Sequence, residues 1–344
     1  MTFGLIDLSN LFHRARYGAM VTSDTQVGMT LLVLFRSLRK LHRELQVDHM
    51  VFAIDRGPSW RTDIYPNYKA RRRLERLTAS ARNPEEQAAF FAAFDQLVDY
   101  LSTATRCTVL AAPGMEGDDF IARWIIRHPD HDHIIVSSDA DFVKLIAPHV
   151  RLFDAVQQRM LSISGITNEH GETVQFQVSP KDGRIKVGAI DPMFVPEPDW
   201  WRKALFIKLI RGDTSDSVFS AFPGVRFDGR KHSIRAAWED RLEQGYDWNN
   251  LMCQTWDKLL ETGDVQSVRV IDEYRINERL IDLCKQPDEV LRTLDTTIDS
   301  VSLQPVVRQV GMHFLRFCAA HDVPALVKEA GDHVMYLNAP LPSY

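Results

Sequence analysis

Three short apolar runs each close on an aspartate, and they limit the folds open to this chain. Phe3-Gly-Leu-Ile-Asp7, Val51-Phe-Ala-Ile-Asp55 and Ile134-Ile-Val-Ser-Ser-Asp139 are rich in β-branched or aromatic residues and short enough to be buried strands. Cys107-Thr-Val-Leu110 and Val150-Arg-Leu-Phe153 read as weaker strands. Helical patterns lie between them. Met29 to Leu45 repeats its apolar residues near a 3.6 period, Pro84 to Leu101 opens with Pro and Glu, and Glu116 to Ile126 is amphipathic. Alternation of this kind predicts an α/β fold with a mainly parallel central sheet flanked by helices. Ligands of such sheets sit beyond the carboxyl ends of the strands, where Asp7, Asp55 and Asp139 fall.

The rest of the chain has another texture. Ser164 to Pro198 is rich in Gly and Pro among scattered polar residues and reads as an irregular insertion with room for a hairpin. From Asp199 the pattern is helical to about Ala330, and Pro340 and Pro342 mark a loose tail. The 344 residues suffice for one large core or two ordinary domains. The Met1 region lacks a basic segment followed by an apolar run, so a secretory signal is not expected. No stretch approaches the roughly 20 apolar residues that span a bilayer. Cys107, Cys253, Cys284 and Cys318 form no C-x-x-C pair, which argues against a thiolate zinc site and for a reducing cytosol.

The net charge of −5 argues by itself against a polyanionic partner, but the charges are segregated. Eight Lys/Arg lie between Arg56 and Arg82 against Asp63 and Glu75. Eight more lie between Arg202 and Arg235 against Asp213, Asp216 and Asp228. An acidic chain with two basic stretches suits an enzyme that holds both metal and phosphate, although each stretch also reads as a solvated helix face.

Three acidic groups add to Asp7 and Asp55. They are Glu116-Gly-Asp118-Asp119, Ser138-Asp139-Ala-Asp141 and Gly212-Asp213-Thr-Ser-Asp216. Carboxylates gathered at neutral pH repel one another and raise their pKa values, and a divalent cation removes that cost. Taken singly, Asp7, Glu116, Asp118, Asp213 and Asp216 each read better as helix caps or first-turn acids. Three strand-end acids together with three acidic groups are hard to explain as caps. His128-Pro-Asp-His131-Asp-His133 reads as a polar surface loop, and Trp200-Trp201 as packing at a helix start.

Ile6-Asp7, Ile54-Asp55, Glu116-Gly-Asp-Asp119, Ser138-Asp-Ala-Asp141 and Gly212-Asp-Thr-Ser-Asp216 occur in the order of the 5′-nuclease superfamily, which this chain resembles. That superfamily includes flap endonucleases, the 5′-nuclease domain of bacterial DNA polymerase I and phage 5′→3′ exonucleases. The similarity is strongest to the phage replication ribonucleases H that remove RNA primers. Trp60 to Arg73 and Asn277-Glu-Arg-Leu-Ile-Asp282 also resemble segments of these enzymes. The resemblance implies a PIN-like metal-binding nuclease domain over 1–163 with a basic arch at about 56–82. It implies an insertion over 164–198 and a helical nucleic-acid-binding domain over 199–335 with a helix–loop–helix duplex grip. It implies two Mg²⁺ ions, with Mn²⁺ as a substitute. Asp7, Asp55, Glu116, Asp118 and Asp119 would serve the first ion, and Asp139, Asp141, Asp213 and Asp216 the second. Tyr68 would stack on a base while Lys69 and Arg72, flanked by Arg71 and Arg73, neutralise the scissile phosphate. Arg14 follows the first acid, as does a phosphate-contacting arginine in part of the family. The catalytic set is then Lys69, Arg72, Asp118 and Asp139.

One segment departs from the family pattern. The Gly-rich turn that grips duplex and can hold K⁺ is replaced by Phe222-Pro-Gly-Val-Arg-Phe-Asp-Gly-Arg-Lys-His232, leaving Arg226, Arg230 and Lys231 as the candidate grip. The expected partners are DNA and RNA–DNA duplex with a 5′ end or flap, and by resemblance a single-stranded-DNA-binding protein or sliding clamp. A monomer in the bacterial or phage-infected cytosol, away from membranes, is expected. A PIN-type ribonuclease, a non-catalytic junction-binding module and a metal-dependent phosphatase are the rival readings.

Overall fold

The computed structural model describes residues 1–18, 26–82, 84–229, 231–241, 249–259, 263–301, 303 and 305–341. The alternation read from the sequence is present in its first half. In order come β1 (Thr2–Asp7), α1 (Leu8–Gly18), α2 (Gln26–Leu45), β2 (His49–Ala53), α3 (Arg61–Ile64), α4 (Ala70–Arg82), α5 (Pro84–Ala104), β3 (Thr108–Leu110), α6 (Gly117–Arg127) and β4 (Asp132–Val136). A 3-10 turn over Ala140–Leu145 leads into β5 (Val150–Asp154). These five strands pair in parallel in the order β3-β2-β1-β4-β5. The chain steps from β1 outward to β2 and β3, then returns to the other side of β1 for β4 and β5. The strand order therefore reverses between β1 and β4, and a reversal opens a crevice at the carboxyl ends. Asp7 ends β1 there, and Asp55 and Asp139 follow just after β2 and β4.

The segment 164–198 is not irregular, contrary to the sequence reading. β6 (Arg159–Ser162), β7 (Gly165–Thr167), β8 (Thr173–Val178) and β9 (Ile185–Ile190) continue the same sheet antiparallel, bringing it to nine strands. Thr173-Val-Gln-Phe-Gln-Val178 alternates with period two and buries Val174 and Phe176 on one face. The Gly and Pro residues around it mark turns between strands rather than a loose loop.

The second half is mainly helical. It comprises α7 (Trp200–Arg211), α8 (Ile234–Asp240), the hairpin β10 (Thr255–Leu259) and β11 (Val265–Arg269), then α9 (Val270–Ile281), α10 (Asp288–Val301), α11 (Val310–Ala320), α12 (Pro324–Lys328) and α13 (Ala330–Leu337). The hairpin interrupts the helical run that the sequence suggested. α7, α8 and α9 share a core built on Phe206, Ile210, Trp238 and Tyr274. α10 lies on α6, where Arg123 donates to both carboxylate oxygens of Asp295 at 2.7 and 2.6 Å. α11 and α13 return to the other face of the sheet, and Phe314, Phe317 and Tyr336 join Phe35 and Tyr100 in its core. Among the described residues no helix is long and apolar enough to cross a membrane.

The histidine segment also departs from expectation. His133 is fully buried in β4, and the rings of His128, His131 and His133 lie 5.5, 5.3 and 5.6 Å from that of Phe3. A hydrophobic strand start draws them inward in place of a solvated loop. Trp200 does pack, edge-on at 4.7 Å against Phe176 of β8.

Candidate active site

Four carboxylates meet at the strand reversal. Asp7 accepts from the Asn10 amide at 3.0 Å, so it caps α1 with one oxygen while the other faces Ser137. Asp55 accepts from the Gly117 amide at 2.8 Å at the start of α6, and Asp118 stands one residue further on. Asp139 caps the 3-10 turn through the Asp141 amide at 2.9 Å. Burial, followed by repulsion from Asp55 and Asp139, pushes the Asp7 carboxyl up to about 7. Burial together with Asp7 and Asp139 holds Asp118 well above the usual carboxylate range, and Lys69 offsets part of this. Asp139 is raised by burial and by Asp141.

The neighbouring acids of the same motif behave differently. Glu116 and Asp119 form a capping box at the N-terminus of α6. Asp119 is fully buried, receives Arg61 through both oxygens at 2.8 and 3.0 Å, and also accepts from Trp60 Nε1 and Gln286. With its oxygens so occupied it is a structural anchor, which corrects its assignment as a metal ligand. Glu116 is bonded by Arg61 at 2.7 Å and by Lys69, and these two cations hold its carboxyl below the ordinary range despite its burial. It orients Lys69 and lines the inner pocket beside Asp118. Arg61 was not singled out from the sequence. Its only signal is a basic residue beside Trp60 in a partly apolar stretch, and here it is 1% exposed.

A second group gathers Asp141, Asp213 and Asp216, whose ligand oxygens all lie within 4.8 Å of one another. Asp213 and Asp216 come from the turn after α7. Gly212 begins that turn at φ +74°, and a Cβ there would come within 2.4 Å of the Val218 and Phe219 carbonyls. Asn277, in the late motif, clamps the same turn by donating to the Leu209 and Phe219 carbonyls at 2.8 and 2.9 Å. Lys208 projects from α7 between Asp141 and Asp213, 2.6 Å from the latter. It outweighs the burial penalty and holds both carboxyls below their ordinary range. Asp216 is raised by burial, and its Oδ1 has no hydrogen-bond partner, although Arg72 Nη2 stands 3.1 Å away out of line. Lys144 bonds the Ile281 carbonyl beside this group, and burial lowers its pKa. Neither Lys208 nor Lys144 was foreseen. Lys208 could have been found as a cation about one and a half helical turns before Asp213.

The basic flank lies at the start of α4. Lys69 takes a left-handed backbone at φ +53°, fixed by its amide bonding the Asp216 carbonyl at 2.8 Å. A strained non-glycine residue held so is characteristic of functional positions. Arg72 is partly exposed beside Ser215 and Asp216. Arg71 is exposed and pairs with Glu75 along the helix. Two expectations are corrected. Tyr68 is 4% exposed with its hydroxyl bonded to Glu116 at 3.2 Å, so its ring offers no open face for a base. Arg73 donates to the Pro66 and Tyr68 carbonyls and serves the turn itself. Arg14 is half-buried on α1. Arg226 and Lys231 are exposed between α7 and α8, and Arg230 lies outside the described residues.

This donor set fits divalent metal. It is all oxygen, it includes an Asp216 Oδ1 that no hydrogen bond satisfies, and four of its carboxyls, Asp7, Asp118, Asp139 and Asp216, are held above their normal range by burial and by neighbouring acids. The two groups border a small inner pocket lined by Lys69, Arg72, Asp118, Asp139, Asp141 and Asp216.

The chain is similar to known proteins. A family described as 5′-3′ exonuclease, N-terminal resolvase-like domain, matches residues 2–171. The flap endonuclease Xni of Pectobacterium carotovorum subsp. carotovorum is 30% identical over 144 residues, covering 40% of this chain and 51% of that protein. The chain thus spans about half the length of that relative. The flap endonuclease Xni of Pectobacterium atrosepticum is 29% identical over 231 residues, covering 65% of this chain and 72% of that protein. Among solved structures, the bacteriophage T5 D15 flap endonuclease, as a pseudo-enzyme-product complex with DNA and metal ions, superposes with a TM-score of 0.53 at 16% identity. The match covers 88% of this chain and all of that one.

Proposed function

The chain belongs to the 5′-nuclease superfamily, and from that premise we propose that it is a divalent-metal-dependent 5′→3′ exonuclease and flap endonuclease. Its substrate is the 5′ strand of a DNA flap, nick or RNA–DNA duplex, and its role is primer removal in phage-type replication. Residues 1–163 act as the nuclease domain with 56–82 as its arch, and 199–335 supply the duplex grip.

The observation that carries this reading is that Asp118, Asp139, Asp141 and Asp216 line one pocket together with Lys69 and Arg72, with Asp7 and Asp55 beside Asp118 and Asp213 beside Asp141 and Asp216. Asp7, Asp55, Asp118 and Asp139 would hold a first Mg²⁺, and Asp141, Asp213 and Asp216 a second. Bound there, the ions supply an activated water and stabilise the leaving oxygen of a phosphodiester. Lys69, pinned by Glu116 and by the Asp216 carbonyl, presents its ammonium at the pocket beside Arg72, and the two neutralise the scissile phosphate. Arg226 and Lys231 contact the phosphates of the duplex, a role that fixes position without reading sequence.

A 5′-labelled flap and an RNA-primed duplex, incubated with Mg²⁺ and with chelator, test the proposal. Wild-type protein should shorten both substrates with Mg²⁺ and neither with chelator. Asp139→Asn should lower the single-turnover rate about a thousandfold while leaving binding in chelator unchanged. Metal-independent cleavage, or none at all, would overturn it.

A further inference from the structure

The antiparallel extension β6 to β9 builds something the parallel sheet does not need. Between it, α7 and the 3-10 turn runs an open cleft of about 780 Å³ that ends at Asp139, Asp141, Asp213 and Arg72. Arg72, Asp139 and Asp141 line both this cleft and the pocket behind the arch.

The cleft wall is fastened in place. The turn from Ser179 to Arg184 closes on itself through the Gly183 and Ser179 amides, at 2.9 and 2.8 Å. Gly183 sits at φ +72°, and a Cβ there would come within 2.4 Å of the Ala204 carbonyl on α7. Phe176 packs on Trp200 behind it. The floor is aliphatic, with half-buried Ile185 and Val187 from β9 and Leu205 from α7. Away from the metal-site acids, Arg159, Lys181, Arg184 and Arg211 face Asp154 and Asp182. Asp154 is engaged by the Val156 and Gln157 amides, and Asp182 by the Arg184 amide. Arg211 is committed to the Pro180 and Val225 carbonyls. Among the described residues, Lys181 has no ion-pair partner, Arg159 donates to the neutral Gln157 side chain, and Arg184 reaches Asp182 only at 3.9 Å.

An apolar floor under a cationic rim, opening onto the reacting centre, fits a polyanion with flat apolar faces. The volume lies in the range of small-ligand sites, enough for one or two nucleotides. We propose that this cleft is a single-strand subsite: it takes the nucleotides next to the scissile phosphate, with bases on Ile185, Val187 and Leu205 and phosphates at Arg159, Lys181 and Arg184. It rests on the nuclease reading and extends it. The rim makes only phosphate contacts, so the subsite binds without sequence preference and with marked salt dependence.

The test uses the full chain in chelator with labelled oligothymidylate as single-strand probe and a blunt duplex as control. The double variant Lys181→Gln/Arg184→Gln changes two exposed side chains. It should weaken oligothymidylate binding about tenfold, lower the slope of log affinity against log salt by about 1.4, and leave duplex binding and the melting temperature unchanged. Unchanged oligothymidylate affinity and slope, an equal loss on both probes, or no binding of oligothymidylate by the wild type would overturn it. Wild-type cleavage of the flap with Mg²⁺ is measured alongside. A cleaving enzyme whose single-strand affinity ignores the double variant would refute the subsite and leave the nuclease reading standing.

Discussion

The two carboxylate groups of the pocket use the same residue type under opposite electrostatics. Asp7 is driven up by burial, Asp55 and Asp139, and Asp118 by burial, Asp7 and Asp139, and the strongest influences on Asp7 include no cation. Asp141 and Asp213, a few ångströms on, are driven down because Lys208 lies between them. A third arrangement stands beside both, where Asp119 is closed off entirely by Arg61. Clustered acids thus have three fates. They stay without a dominant side-chain cation, where an external ion would serve, they take a side-chain cation beside the pocket, or they become a buried strut. The first fate marks where added metal would relieve the most repulsion. The second shows a site kept assembled by the chain's own ammonium.

The largest expected effect concerns the strut. Arg61→Met leaves Asp119 buried without its main counter-charge and Glu116 with Lys69 alone, and removing one partner of a buried pair costs roughly 3–5 kcal/mol. Thermal melting in chelator should show a large fall. A variant that melts like wild type but binds metal poorly would return Asp119 to the ligands and erase the third class.

Next comes the compensated group. Asp213→Asn takes one carboxylate from Lys208, whose ammonium then keeps only Asp141. A charge-assisted bond at a largely buried site is worth about 2 kcal/mol, and the melting temperature in chelator should fall accordingly. A rise would mean that repulsion among Asp141, Asp213 and Asp216 outweighs Lys208, and the contrast between the groups would vanish.

Much of this pocket was legible in the sequence because strand-end acids in an alternating pattern have a fixed place in the fold. Asp7, Asp55 and Asp139 follow from that rule with no side-chain detail. The division of labour within Glu116-Gly-Asp118-Asp119 was not legible. It depends on Arg61, which lies 55 residues from Glu116 in the chain and meets it only after folding. Lys208 escaped for a similar reason, since a lysine on a helix near acids reads as a solvated face until the turn at Gly212 brings Asp213 back onto it. Tyr68 looked like a stacking platform through the resemblance of its segment to the family's arch, yet its ring is buried and its hydroxyl is bonded to Glu116. The extension β7 to β9 was hidden by its Gly and Pro content, and the alternation of Thr173 to Val178 was the signal to weigh instead.

The smallest expected effect is the sharpest test of the comparison, because its sign is opposite to the others. Asp118 has its carboxyl raised well above the ordinary range. For an acid whose folded value is raised, the folded state binds more protons than the unfolded chain. Stability therefore falls as pH climbs from the ordinary carboxyl range through the raised value. At pH 8 in chelator, Asp118→Asn removes that penalty and should stabilise the fold by about 1 kcal/mol, a gain at an active site of the kind that costs activity. Mg²⁺ should then raise the melting temperature of the wild type more than that of the variant, because only the wild type keeps the full acid set for the ion to neutralise. If Asp118→Asn instead melts lower than wild type in chelator, the first group is not strained, and the electrostatic distinction between the two halves of the pocket is lost.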